Sequence, residues 1–122
     1  MKEIRLRIVE GFFADVVWNH APLSTKELVA LCRQKFNWKR TTTYTVLKKT
    51  CEKGIFHMEN STVTVLISKA ELSSIQSKQF VDRNFGGSLP AFLRAYLSGI
   101  SPSNEELQEI RQIIDAVESK AK

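Results

Sequence analysis

A basic, hydroxyl-rich segment from Trp38 to Gly54 holds the side chains best suited to binding a ligand. Lys and Arg neutralise phosphate, and Thr hydrogen-bonds phosphate oxygens or base edges. Gly54 fits the left-handed position that follows a helix end, and Lys53 suits the negative end of a helix dipole. The segment therefore predicts a DNA-recognition helix from about Arg40 to Lys53.

The positive charge of the chain is concentrated around this predicted helix. Residues 1–67 hold 11 Lys and Arg against 6 Asp and Glu, whereas residues 68–122 hold 7 of each. Between Arg33 and Lys53, seven basic residues stand against a single acid, Glu52. Such a concentration is typical of a surface that binds a polyanion, and the alternative is a solvated basic face without a partner.

Helical periodicity divides the predicted recognition helix into a buried and an exposed set, with Val46, Leu47 and Thr50 facing inward. We expect the exposed side chains to contact base edges or to hold phosphates. The expected base-reading face is Thr42, Thr43, Thr45 and Lys48, and the expected phosphate contacts are Lys39, Arg40 and Lys49. The alternative role of the threonines is helix capping.

Three more residues complete the predicted DNA-binding site. Ser24 and Thr25, at the start of the preceding helix, could place backbone N–H groups on a phosphate. Tyr44 either contacts DNA or packs under the neighbouring hairpin.

The apolar spacing predicts a mainly α chain with a small β-hairpin. Residues 7–19 carry the helical stripe Val9, Phe12, Phe13, Val16 and Val17. A capping box formed by Ser24 and Glu27 begins a second helix. After the recognition helix, the β-prone runs 55–59 and 62–67 flank Asn60-Ser61 as a hairpin. This is the order of a winged helix-turn-helix, and we assign residues 1–68 to a DNA-binding domain.

Three further helices are predicted after the hairpin, with Ser68, Ser88 and Ser103 as their N-caps. Three amphipathic helices are too few to form a well-packed core by themselves, and their apolar faces need a partner. Residues 69–122 are therefore assigned to a helical dimerisation domain. The alternative is a core formed within one chain. The side chains expected to bury against a second copy or within this domain are Phe80, Phe85, Leu89, Phe92, Leu93, Leu97, Leu107, Ile110 and Ile114.

Other classes of protein find little support in the sequence. Cys32 and Cys51 stand alone, which is too few ligands for a structural zinc site, so no metal or other cofactor is predicted. No residues form a catalytic constellation, and no apolar run approaches the roughly 20 residues that span a bilayer. A cytoplasmic protein that is not an enzyme is expected. Besides a repressor, a winged-helix protein-interaction module and a sequence-neutral DNA-binding protein remain open.

Several motifs follow one another along nearly the whole chain. They are Glu10 with Val16-Val17-Trp18, Pro22-Leu23-Ser24, Lys26-Glu27-Leu28, Trp38 with Thr42, Thr45, Leu47, Lys49 and Glu52-Lys53-Gly54, then Phe80, Phe85-Gly86-Gly87-Ser88-Leu89, and finally Ser103, Glu105-Glu106-Leu107 and Ile110-Arg111. In this order and spacing the chain resembles the penicillinase-repressor family, which includes the methicillin-resistance repressor and copper-responsive repressors.

The resemblance implies a cytosolic homodimer that sits on a palindromic DNA operator and blocks transcription. In β-lactam-responsive members, a sensor protease ends repression by cutting the dimerisation domain, and the corresponding bond here is Ala95–Tyr96. The chain departs from the family at Thr50, where a core leucine is usual, and at Gly11, where a tryptophan is common. It also has Asn60-Ser61 in place of a glycine-arginine wing turn, and it lacks the C-terminal Cys-x-Cys pairs of the copper-responsive branch.

Overall fold

The computed structural model describes residues 3–121 as a mainly α chain with a small antiparallel sheet, which confirms the predicted fold class. In chain order the elements are α1 (Ile8–His20), β1 (Leu23–Ser24), α2 (Thr25–Phe36), α3 (Arg40–Glu52), β2 (Phe56–Glu59), β3 (Thr62–Val65), α4 (Lys69–Phe85), α5 (Leu89–Ser98) and α6 (Asn104–Ala121).

The predicted capping residues begin the helices as expected. Ser24 Oγ accepts a hydrogen bond from the backbone N–H of Glu27 at 3.0 Å, which satisfies an amide at the start of α2. Ser68 and Glu71 exchange side-chain to backbone bonds at the start of α4, and Ser103 and Glu106 do so for α6. These reciprocal bonds explain why the starts of these helices could be predicted from a few residues.

The buried face of α1 differs from the predicted stripe. Phe13, Val16 and Val17 are buried as expected, but Val9 and Phe12 are 51% and 60% exposed. The inner face instead follows Glu10, Phe13, Ala14 and Val17, a spacing of i, i+3, i+4 and i+7 that satisfies helical periodicity equally well. The small Ala14 lets other elements approach α1 closely, which apolar periodicity alone does not reveal.

The sheet has the strand order β1–β3–β2, so β3 pairs on both sides. Leu23 lies opposite Val63 in one pair, and Met58 lies opposite Val63 in the other. Asn60 and Ser61 have φ values of 52° and 59°, as a two-residue hairpin turn with two left-handed residues requires. The predicted hairpin is confirmed, and the two-residue β1 was not predicted because so short a strand has no periodicity of its own.

The first compact unit extends to Gln79, which is later than the predicted domain boundary between residues 68 and 69. Leu72 of α4 is buried in the same core as α1 and the sheet. Gln76 and Gln79, one turn apart on α4, bond the backbone of Ile4 through their side chains. The beginning of α4 therefore belongs structurally to the winged-helix unit.

The second compact unit begins at Phe80. The rings of Phe80, Phe85 and Phe92 form an aromatic cluster with centroid separations of 5.5–6.2 Å, and Tyr96 lies 6.0 Å from Phe92. No residue of α5 or α6 is buried. The apolar stripes of these helices therefore lack a full cover within one chain. Among residues 3–121, no helix is long and apolar enough to cross a membrane.

Candidate nucleic-acid interface

The exposed face of α3 carries most of the predicted DNA-binding residues. Val46, Leu47 and Thr50 hold the helix to the core through its opposite face. Lys39 immediately precedes the helix as its N-cap, so cationic groups gather at the amino end. The predicted residues that are exposed are Lys39, Arg40, Thr42, Thr45, Lys48 and Lys49. Their contact with DNA stays a prediction.

Thr43 was wrongly assigned to the exposed face. It is 1% exposed, and its hydroxyl donates to the carbonyl oxygen of Lys39 at 3.3 Å. Because residues three and four apart share a helix face, Thr43 lies on the same buried stripe as Val46 and Leu47. It therefore contributes to the core and cannot reach a base in this conformation.

Thr45 is exposed, but its hydroxyl already has a partner within the helix. The Oγ1 atom donates to the carbonyl oxygen of Thr41 at 2.9 Å. A hydroxyl that donates backwards along the helix still has lone pairs free to accept. Thr45 therefore presents a methyl group and an acceptor toward solvent, a combination that suits a thymine methyl or an amino group on a base edge.

A cationic and hydroxyl cluster forms where the amino ends of α2 and α3 meet. The Arg40 guanidinium carbon lies 5.5 Å from the centre of the Tyr44 ring. A hydrogen bond with Thr25, and in addition the Arg40 charge, lower the pKa of Tyr44 against the opposing effect of burial. With Lys26 and Val29, these residues line a cavity of about 210 Å³. Two cations and a hydroxyl around so small a depression suit one phosphate group.

Lys26 is the member of this cluster that the sequence analysis missed as a contact. It lies outside the basic segment that begins at Arg33, so the concentration of charge does not identify it. Its position two residues after the Ser24 cap, at the amino end of a helix packed before the recognition helix, is the signal that could have identified it.

The predicted backbone contact of Thr25 with phosphate is wrong. The Thr25 N–H donates to the carbonyl oxygen of Ser61 at 2.9 Å, and the residue is 7% exposed. The cause is β1, whose pairing with β3 continues into the first residue of α2. Ser24 is half-buried, and its hydroxyl serves as the α2 cap. The hydrogen bond from the Thr25 N–H to Ser61 therefore ties the start of α2 to the hairpin turn.

An ion pair between the half-buried Lys53 and the buried Glu10 fixes the carboxyl end of α3. Lys53 Nζ lies 2.5 Å from Glu10 Oε1 and donates to the Arg5 carbonyl oxygen at 2.7 Å. Burial alone would raise the pKa of Glu10, but hydrogen bonds from Lys53 and the Arg7 N–H, together with the charges of Lys53 and Lys49, outweigh it and hold that pKa below its usual value. Lys53 thus binds the first helix and the chain before it, a role that its position near a helix end did not predict.

The hairpin tip contributes no cation to this surface, since residues 56–65 contain no Lys or Arg. His57 Nε2 lies 3.5 Å from Glu59 Oε2 on β2. Asn60 and Ser61, both exposed, offer an amide and a hydroxyl at the turn. Any contact between this wing and DNA would therefore rest on neutral hydrogen-bonding groups.

Between α3 and β2 lies a second, larger cavity of about 380 Å³. Its lining is mostly apolar. The lining residues are Tyr44, Leu47, Lys48, Cys51, His57 and Met58.

Neither cysteine suits nucleophilic chemistry, because burial raises the pKa of Cys32 and of Cys51. A hydrogen bond with Thr43 acts in the opposite direction on Cys32 but does not outweigh burial. Within the described part of the chain, no three His, Cys, Asp or Glu side chains come together as a metal site would require.

The predicted dimerisation residues lie on α4, α5 and α6 with much of their surface uncovered. Phe80, Leu89 and Ile114 are 45%, 57% and 49% exposed. The half-buried ones are Phe85, Phe92, Leu93, Leu97, Leu107 and Ile110. Ala95 and Tyr96, at the bond considered for cleavage, are both exposed within α5.

Comparison with known proteins connects this geometry to one family. The family model described as "Penicillinase repressor" matches residues 9–116. The penicillinase repressor of Bacillus licheniformis is 25% identical in an alignment of 111 residues that covers 88% of this chain and 87% of that protein. The solution structure of the DNA-binding domain of the repressor BlaI matches 58% of this chain and 93% of its own, with a TM-score of 0.50 and 25% identity. The chain therefore belongs to the penicillinase repressor family, whose members are DNA-binding regulators and not enzymes.

Proposed function

We propose that this protein is a homodimeric transcriptional repressor that places α3 in the major groove of a palindromic DNA operator. The observation that carries the proposal is the exposed cationic and hydroxyl face of α3 on a winged-helix unit similar to the DNA-binding domain of BlaI. Binding to DNA would occur in the cytoplasm.

The exposed residues of α3 divide into two roles in this proposal. Thr42, Thr45 and Lys48, spaced three residues apart on the exposed side of the helix, read base edges. Lys39, Arg40 and Lys49 neutralise phosphates, and Lys26 with Tyr44 completes the phosphate-binding depression beside Arg40. The cations supply affinity for any DNA, whereas the base contacts supply sequence preference.

Dimerisation would supply a second recognition helix for the second half-site of the operator. Ile113 and Val117 on α6 are 63% and 62% exposed, and with Ile114 they continue the apolar face of that helix. Burying such surface stabilises a complex by roughly 25 cal/mol per Å², which favours a second copy of the chain as its cover. A two-fold symmetric dimer would then read an inverted repeat.

Proteolysis within α5 would release the operator. The residues on both sides of the Ala95–Tyr96 bond are exposed, which gives a sensor protease access to their side chains. A helical bond must unfold locally before a protease can cut it, and α5 has no buried residue to oppose such opening. Cleavage would separate the dimerisation helices and so remove the gain from binding two half-sites together.

Selection from a pool of random DNA duplexes would test the proposal. We expect enrichment of an inverted repeat whose half-sites are separated by about 10 base pairs or a multiple of that spacing. Affinity for the selected site should exceed that for random DNA by at least about 10³-fold. A ratio below about 10 would instead indicate a sequence-neutral DNA-binding protein. No binding to duplex DNA at low salt would favour a protein-interaction module.

A further inference from the structure

The cavity between α3 and β2 has an unusual lining for a surface that approaches DNA. Leu47 is 2% exposed and Cys51 is half-buried, while Met58 of β2 leaves 44% of its surface open. The side chains of Leu47 and Met58 offer no hydrogen-bond donor to phosphate or sugar oxygens, and a thiol is only a weak donor. A ligand that placed only polar groups against this apolar lining would lose their hydrogen bonds to water, at a cost in free energy. The lining therefore suits an apolar ligand group.

The size of the cavity sets the size of that group. A cavity of about 150 Å³ lined by apolar side chains accepts benzene in another protein. The present cavity of about 380 Å³ therefore has room for two fused rings with a substituent.

Three polar side chains also line this cavity, Tyr44, Lys48 and His57. Lys48 is exposed and carries a positive charge, and the His57 ring is also exposed, whereas the Tyr44 hydroxyl is already hydrogen-bonded to Thr25. The Glu59 carboxylate, 3.5 Å from His57 Nε2, offsets part of any charge on that ring. The Cys51 thiol stays protonated because burial raises its pKa. One anionic group on an apolar body would thus complement the site.

We propose that this cavity binds a small aromatic carboxylate, and that the ligand and operator DNA exclude each other. This second part rests on the proposed function. Lys48 belongs to the face that would read bases, so a carboxylate bound to it occupies the place of DNA. Tyr44 forms a wall of this cavity and of the phosphate-binding depression that contains Arg40, so one ring borders both sites. An aromatic acid would therefore act as an inducer by direct competition.

Titration of the full-length protein with naphthoate, followed by amide NMR shifts, tests the site without DNA. We expect shifts confined to the two sides of the cavity, residues 44–51 and 56–59, with a Kd between about 10 μM and 1 mM. Naphthamide, which has the same rings without the charge, should bind roughly three- to tenfold more weakly. Naphthoate should also displace a fluorescent duplex, whereas naphthamide should do so only at proportionally higher concentration.

Matched variants locate the contacts. Lys48→Gln should weaken naphthoate binding roughly three- to tenfold, whereas Lys39→Gln, at the N-cap of the same helix but outside the cavity, should leave it unchanged. Met58→Ala should weaken naphthoate and naphthamide equally, because it removes apolar surface and no charge. Circular dichroism would confirm that all three variants fold.

Absence of shifts in these two segments would overturn the proposal, as would equal effects of the two lysine variants. Perturbation of Met58 by DNA but not by naphthoate would assign the cavity to DNA contact and also overturn it. Mapped ligand binding by a protein without affinity for DNA would instead support the site and contradict the proposed function. Duplex binding that naphthoate does not displace, despite a mapped site, would overturn the competition.

Discussion

Thr43 and Thr45 show how two residues of one type, two positions apart, come to different roles. Thr43 is buried and donates to Lys39, whereas Thr45 is exposed and donates to Thr41. The difference follows from a rotation of about 200° between them around the helix. Sequence alone located the threonine-rich turn, but the phase of the helix decided which hydroxyl could face DNA.

Lys49→Ala should weaken binding to all duplexes to a similar degree and reduce the magnitude of the slope of log Kd against log salt by about one. Thr45→Ala should leave this slope unchanged and reduce the preference for the selected operator. Fluorescence anisotropy with operator and random duplexes across a salt series would measure both. Thr43→Val is the control, since a buried side chain should alter neither quantity. An unchanged slope in Lys49→Ala would show that Lys49 does not neutralise a phosphate.

Lys53→Met should lower the free energy of unfolding by about 2–4 kcal/mol at pH 7, because it leaves Glu10 charged and buried without its cation. In the natural protein the folded-state pKa of Glu10 is lowered, so its stabilisation is complete above the ordinary value of 4.5 and is lost as pH falls through the folded pKa. In the variant the hydrogen bond and the charge of Lys53 are gone, so the pKa of Glu10 should be higher than in the natural protein. The difference between the two proteins should therefore shrink as pH falls.

Urea denaturation between pH 3 and 8 would measure this difference. Lys48→Met, an exposed lysine on the same helix, should change stability by less than about 0.5 kcal/mol at every pH. A deficit in Lys53→Met that is the same at all pH values would show that the Glu10 charge is not its cause.

Among the helices and strands, the features predicted correctly are those determined by interactions between residues close in sequence. The Ser68–Glu71 and Ser103–Glu106 pairs marked helix starts, because each capping box lies within four residues. The Asn60-Ser61 turn marked the hairpin for a similar reason. In contrast, β1 and the Glu10–Lys53 pair join residues about 40 positions apart, and a single sequence carries no signal of such contacts. The inner face of α1 was predicted only in part, because two faces of that helix are apolar.

Gly11 in α1 offers a test of how helix propensity acts in this fold. A β-carbon at Gly11 would meet no atom within 4 Å, and its φ is not positive. Gly11→Ala should therefore raise the free energy of unfolding by about 0.5–1 kcal/mol, because alanine loses less conformational entropy in a helix. Gly54, with φ of +81°, is the matched contrast. Gly54→Ala should lower stability by about 1 kcal/mol, because the left-handed conformation strains alanine.

Urea denaturation of both alanine variants would measure the contrast. Equal effects of the two substitutions would contradict the assignment of Gly11 to an ordinary helical conformation with open space around it.

At the scale of the whole molecule, charge and apolar surface separate along the chain. The net positive charge lies in residues 1–67, whereas the exposed isoleucines and valine of α6 lie in the neutral remainder. Composition predicted this division, because net charge and apolar stripes can be counted without knowing the fold. The position of the boundary between the two units could not be predicted from composition, because the contacts of Gln76 and Gln79 with Ile4 extend the first unit into α4.

Ile114→Asp should convert a dimer into a monomer, because a carboxylate buried at an apolar interface without a partner costs several kcal/mol. Sedimentation equilibrium at micromolar concentration should then give 13.9 kDa in place of about twice that mass. Gln112→Asp, which adds the same charge on the polar side of α6, should stay dimeric. Operator affinity should fall by about 10²-fold or more in the first variant, because each half-site then binds a separate chain. A natural protein that is already monomeric would contradict the dimer, and unchanged affinity in a monomeric Ile114→Asp would show that one copy reads the operator.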